Sequence, residues 1–214
     1  MHAFVPVPGG SASRLKAAER TVIARLVADT AELLGTPLDD GAPAAPGPTT
    51  PDGADAVLAA LDFDPAADAV RDAPADPALA RLLPPMSHDD PRLSAELRAL
   101  TEDSLRAGKV ARLETVWREL REPSGPKGVV VVRTGREGPW LAALTDVRLV
   151  LASRLGIEDD QDAEAVYDRA QRADRLSGED ADDAVRDALA TMYAALTWWQ
   201  ESLLEAMRRP RRAH

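Results

Sequence analysis

Cysteine is absent from the sequence, which excludes disulfides, thiolate metal sites, iron–sulfur clusters and thiol redox switches. Histidine is scarce: His2, His88 and His214 are the full complement, and two of them sit at the chain ends, so a histidine-based metal centre has little to build on. No run of about 18 or more apolar residues exists to span a bilayer. The opening stretch MHAFVPVPGG lacks the charged start and apolar core of a signal peptide. These absences lead to the expectation of a cytoplasmic protein without cofactor, metal or membrane contact.

Catalytic signatures are missing too. TGREGPW (134–140) has two glycines but no lysine followed by Ser or Thr, so it is no phosphate loop. EDDQDAE (158–164) lacks the glycine and alternating ligands of a calcium loop, and its carboxylates suit a helix N-terminus. A nucleophilic serine would need a histidine base, and only His88 is internal. The many carboxylates show no spacing that selects an acid/base pair. The sequence therefore reads as non-enzymatic.

What is present is a chain of 214 residues with 45% hydrophobic content, enough for one domain with a sizeable core. Residues 36–56, rich in Pro, Gly and Ala, have almost no large apolar side chain to repay the entropy of ordering and read as a flexible insertion. The formal net charge of -10 disfavours nucleic acid, whose phosphates must be neutralised by Lys and Arg. Against that acidic body, residues 209–214 form a basic tail, and Arg208, Arg209, Arg211 and Arg212 follow the last apolar residue. Such a tail either keeps a helix end solvated or meets a phosphate or an acidic partner.

Periodicity predicts a mainly α fold: a helical domain with a small antiparallel sheet from an N-terminal hairpin and one later strand. FVPVPGGSASRL (4–15) carries the hairpin signal, and GVVVV (128–132) is the later strand, which needs that hairpin as its partner. A helix of about five turns follows the hairpin, burying Val22, Ile23, Leu26, Val27, Thr30, Leu33 and Leu34 and stopping at Gly35. Short helical pieces are expected around Ala54–Leu61 and Pro77–Leu83. DDPRLSAELRAL opens a further helix, and Thr101 is placed to cap another that ends before EPSGPKG. Later helices are expected over Trp140–Leu155, stopped by Gly156, over Asp159–Ala173 and over Asp180–Arg208. The last carries a seam of Val185, Leu189, Met192, Leu196, Trp199 and Leu203.

Three features stand out from this pattern. Leu141, Leu144, Arg148, Leu151 and Leu155 share one helical stripe with an arginine at its centre. Stranding that charge is costly, so Arg148 pairs with a buried carboxylate, snorkels to water, or offers its fork to an anion; Asp146 points to another face and is not the partner. Trp198 lies off the seam of its helix, beside Glu201 and Glu205, and is either covered by another element or exposed as an anchor for a protein partner. Finally, a tight junction near Thr101, with Arg106, Lys109, Arg112 and Arg118 beyond it, leaves a helix-turn-helix reader of DNA as an alternative. Glu102, Asp103, Glu114 and Glu119 dilute its basic face.

LTEDSLRAGK (100–109), WLAALTDVRLVLASRLGI (140–157) and YAALTWWQESLLEAM (193–207) together resemble an actinobacterial family of AosR-type oxidative stress transcriptional regulators, formerly filed as a domain of unknown function. The likeness runs from about residue 14 to residue 207, the insertion excepted. Trp140, Leu141, Ala143, Leu144, Asp146, Arg148 and Leu149 match the family's helix motif, while Thr145 replaces its usual asparagine. Trp140, Asp146, Arg148 and Arg154 are thereby marked as motif or structural residues. The resemblance implies a regulator that contacts transcription machinery such as a sigma factor or RNA polymerase. Clp proteolysis and cysteine biosynthesis are alternative contexts. Without cysteine this member has no thiol switch, and methionines such as Met86, Met192 and Met207 are the remaining oxidisable sulfur atoms.

Overall fold

In the computed structural model the described residues are 1–38, 73–87, 89–173 and 181–208. The expected helix at Ala54–Leu61, the insertion from residue 39 onward, His88 and the tail from Arg209 lie outside them. The chain opens with an antiparallel hairpin, β1 (Val5–Val7) and β2 (Gly10–Arg14), turned at Pro8-Gly9. A later strand, β3 (Val129–Arg133), pairs antiparallel with β2 in the order β1-β2-β3, with Ala12 opposite Val131. Val130 and Val132 alternate inward and are almost fully buried.

Six α-helices occur among the described residues. They are α1 (Ala17–Leu33), α2 (Pro77–Leu82), α3 (Pro91–Arg121), α4 (Glu137–Leu155), α5 (Asp160–Ala173) and α6 (Ala181–Arg208). Their ends follow local chemistry. Asp76 and Asp90 each accept backbone N–H bonds at the starts of α2 and α3, and a proline at the first position supplies the fixed φ a helix needs. Gly156 stops α4 in the left-handed conformation, φ 74°, where a side chain would be strained.

The sheet covers one end of the helical core. Both β1 and β2 rest on α6, β3 rests on α4, and α1 packs most extensively along α3. At the centre, Trp140 of α4 and Trp199 of α6 are fully buried, and Phe4 packs against both. Phe4 stacks on Trp199 at 4.9 Å, and the two indoles meet edge-on at 5.9 Å. Such arrangements are favoured by the ring quadrupoles beyond the area they bury. The Trp199 indole N–H donates to Ser13 Oγ, so the core aromatic also fixes the sheet.

The expectation at Thr101 fails. No junction exists at Thr101: α3 runs unbroken for 31 residues through it. The Thr101 hydroxyl bonds back to the Leu97 carbonyl, an alternative to capping that leaves the helix intact. An Arg98–Glu102–Arg106 ladder at four-residue spacing crosses the same turn and holds it helical. The helix-turn-helix geometry therefore has no turn. Two apolar residues assigned to helix faces, Val22 and Val185, are 44% and 60% exposed instead.

Candidate functional site

The three motif segments meet in space, and most of their polar residues act as joints. Lys109 of α3 donates to Asp146 of α4, which is 3% exposed, and Arg112 approaches the other carboxylate oxygen at 3.8 Å. That oxygen and Arg112 Nε are buried without a hydrogen bond. Asp146 thus sits between two cations from one neighbouring helix.

Arg148, on the opposite side of α4, contacts α6. Its Nη1 donates to Gln200 Oε1 at 3.0 Å, and its guanidinium lies 5.4 Å from the centre of the Tyr193 ring. Gln200 in turn donates to Thr145 Oγ1 at 2.9 Å. The expected buried carboxylate is corrected to a neutral amide and an aromatic face. The physical reason lies in what α6 presents there: Tyr193 and Gln200 line up one above the other, and Asp146 is engaged by Lys109 on the far side. A ring face takes a cation favourably, contributing about 0.5–2 kcal/mol. Arg148 Nε stays buried and unbonded.

A second ionic cluster anchors the ends of α1 and α2. Glu102 accepts from Arg98 Nη1 at 3.1 Å and from Arg106 Nη2 at 2.7 Å. The same two arginines donate to the Leu83 and Leu34 carbonyls, just beyond the C-termini of α2 and α1. Burial pushes the Glu102 carboxyl up, but the hydrogen bonds and charges of Arg106 and Arg98 outweigh it and hold it below the usual glutamate range. Trp140 donates its indole N–H to Glu119 of α3. Arg154 pairs with Asp76 at 2.8 Å, and its hydrogen bond is the main reason the Asp76 carboxyl is held below its ordinary range. Since Asp76 also caps α2, Arg154 ties the end of α4 to the start of that helix.

Trp198 has a different environment. It is 46% exposed, whereas Thr197, Trp199 and Gln200 beside it are buried. The sheet, α4 and α5 pack against α6, whose second half is exposed at Trp198, Glu201, Glu205, Met207 and Arg208, as are most residues of its first two turns. No described element covers the indole. Arg208, exposed, ends the same helix.

Two open grooves flank α1. One, of 380 Å³, has an apolar floor of Leu26, Leu33, Val147 and Leu151, with Asp29 and Arg154 on its rim. The other runs between α1 and the end of α3 past Trp117 and Arg121. Neither brings a nucleophile and a base together. Among the described residues no three His, Asp or Glu side chains are grouped to hold a metal ion, and no helix is long and apolar enough to cross a membrane.

Of the residues singled out from sequence, Asp146, Arg148 and Trp140 lie in the α3–α4–α6 core, Arg154 at the α2 cap, and Trp198, Glu201 and Glu205 on one outer strip. Gln200, Lys109, Glu119 and the Arg98–Glu102–Arg106 ladder escaped notice as interaction partners. Only the ladder had a local signal, its four-residue spacing.

The molecule is thus a helical domain whose most distinctive polar residues brace helices against one another. The chain belongs to the family described as Domain of unknown function (DUF2017), whose profile matches residues 1–207. No curated protein and no solved structure matches it significantly.

Proposed function

We propose that this protein is a non-enzymatic, cytoplasmic regulator of the AosR type that its motifs resemble, acting by contact with a protein of the transcription machinery, a sigma factor or RNA polymerase. The observation that carries this reading is Trp198. In the three motif segments Asp146, Arg148, Trp140, Glu102 and Trp199 are spent on internal joints, while a large aromatic, Trp198, is left 46% exposed between buried neighbours. Tryptophan is among the residues most enriched at the energetic hot spots of protein interfaces. Glu201 and Glu205 beside it, on a chain of net charge -10, favour a basic partner surface and speed its encounter. An oxidative signal, if it acts through this chain, reaches a methionine or is sensed by the partner.

Binding to purified sigma factors and RNA polymerase, with and without nuclease, tests the reading. Wild type, Trp198→Ala and a chain truncated after Met207 are compared. Nuclease-resistant binding that Trp198→Ala weakens at unchanged Tm supports it. Binding that needs nucleic acid and the arginine tail moves direct DNA binding to the front.

A further inference from the structure

The two edges of the sheet are not equivalent. Strand β2 bonds to β1 through Gly10, Ala12 and Arg14 and to β3 through Ser11 and Ser13, so alternate residues of each outer strand turn their backbone groups away from the sheet. On the β1 side these are Phe4 and Pro6: the Phe4 N–H donates to Ser202 Oγ, and Pro6 has no N–H to offer. On β3 they are Val129, Val131 and Arg133. The Val129 N–H donates to the Pro126 carbonyl, its own carbonyl accepts from Gly125, and the Arg133 carbonyl accepts from Arg136. Left over are the N–H and C=O of Val131 and the N–H of Arg133, an open ladder with no described strand beside it. Proline blunts the first edge, whereas the second is of the kind to which an extended peptide adds.

The charges around this edge indicate what fits it. Lys127 precedes the strand, Arg133 ends it and Arg136 follows, and all three are exposed. Among the described residues none of them pairs with a carboxylate, whereas Arg92, Arg98, Arg106, Lys109 and Arg118 on α3 all do. Of the carboxylates nearest in sequence, Glu137 is buried and accepts from the Gly135 N–H, and Glu122 closes α3 ahead of the turn. On a chain of net charge -10, the open edge is thus framed by unpaired cations.

We propose that the outer edge of β3 takes up an extended, acidic segment of another protein as a further strand of the sheet. Main-chain bonds at Val131 and Arg133 hold it, and its carboxylates meet Arg133, Arg136 and Lys127. Two other occupants fit less well. A nucleic acid backbone could meet the cations, but its phosphates carry no donor for the Val131 carbonyl. A second copy, paired antiparallel about Val131, would set Lys127 of each chain alongside Arg133 and Arg136 of the other, like charge against like. The site goes beyond the Trp198 reading and does not rest on it.

Amide shifts and amide hydrogen exchange of the full chain, titrated with an end-blocked synthetic peptide of alternating valine and glutamate, test this. The expected result is slower exchange at Val131 and Arg133, whose N–H groups face outward, with Val130 and Val132 unchanged and an affinity that falls with added salt. Arg133→Glu combined with Arg136→Glu weakens binding about tenfold or more and lets the lysine counterpart of the peptide bind instead. Val131→Pro, which removes an N–H that β2 does not use, abolishes binding, and Trp198→Ala leaves it intact. The proposal is overturned if the glutamate peptide leaves the Val131 and Arg133 amides unaffected, or if the lysine peptide protects them equally in the wild type. It is overturned equally if a DNA duplex protects them and the peptide does not, or if they become protected without peptide as the mass rises with concentration. Should Val131→Pro lower Tm, the Arg133 and Arg136 variant decides, since both side chains are exposed.

Discussion

Arg148 donates to Gln200 across 52 residues of sequence, joining α4 to α6 through a charged donor and a neutral acceptor at 3.0 Å. Because no carboxylate among the described residues compensates the charge, the two partners are not equivalent. Gln200→Leu leaves a half-buried guanidinium without its acceptor and is expected to cost about 1–3 kcal/mol. Arg148→Leu removes the charge together with its desolvation and should cost about 1 kcal/mol or less, the lost cation–π contact being offset by better packing. Denaturant unfolding of both single variants and the double variant measures the coupling. Strict additivity would show that the bond contributes nothing.

Asp146 and Lys109 form the buried pair between α3 and α4, with side chains 4% and 12% exposed. Removing one partner strands the other, so Asp146→Ala should destabilise by about 3–5 kcal/mol. Replacing both, with Asp146→Leu and Lys109→Met, should recover part of that loss, because an apolar pair avoids the desolvation of two charges while Arg112 still loses its carboxylate. Thermal unfolding of the three variants decides it, and a double variant as unstable as Asp146→Ala would refute the argument.

Glu102 makes stability depend on acid. Its carboxyl is held below its unfolded value, so the folded state favours the ionised form, and the stabilisation is fully present above the unfolded pKa. It is lost as pH falls through the lowered folded pKa, when protonation weakens the bonds to Arg98 and Arg106. Glu102→Gln should therefore lower Tm at pH 7 and flatten the Tm profile on the acid side of the ordinary glutamate range. Parallel Tm profiles for wild type and variant would remove Glu102 as a source of the acid sensitivity.

Gly10 lies where β2 approaches β3 too closely for a side chain. A Cβ there would come 2.1 Å from the Val132 carbonyl oxygen, which is backbone and cannot swing away. Gly10→Ala should part the strands and cost about 2 kcal/mol or more. Amide hydrogen exchange should show faster exchange in β3 than at the middle of α4. Unchanged protection of β3 would contradict the close approach.

Much of this fold was legible locally. Gly156 ends α4 because only a residue free to take φ 74° closes that helix cheaply, and Asp90-Pro91 starts α3 for reasons equally local. GVVVV could be read as a strand, and its solitude pointed to the hairpin. Thr101 shows the limit of such reading: Thr is acceptable both as a cap and in mid-helix, and the Arg98–Glu102–Arg106 ladder decided between them.

At the candidate site, the helical wheel set Trp198 apart from the α6 seam and showed Asp146 and Arg148 on different faces of α4. It could not say what faces them. Periodicity reports which side of a helix is apolar, since it depends on residues within a few turns. Partners come from helices tens of residues away, and their choice depends on how those helices cross. The sequence by itself thus determined most of the elements, the ends set by Asp90-Pro91 and Gly156, and the exclusion of cysteine chemistry. Only tertiary packing decided that Asp146 meets Lys109, that Arg148 rests on Gln200 and Tyr193, and that Trp198 stays uncovered, because each depends on the free energy of whole surfaces meeting.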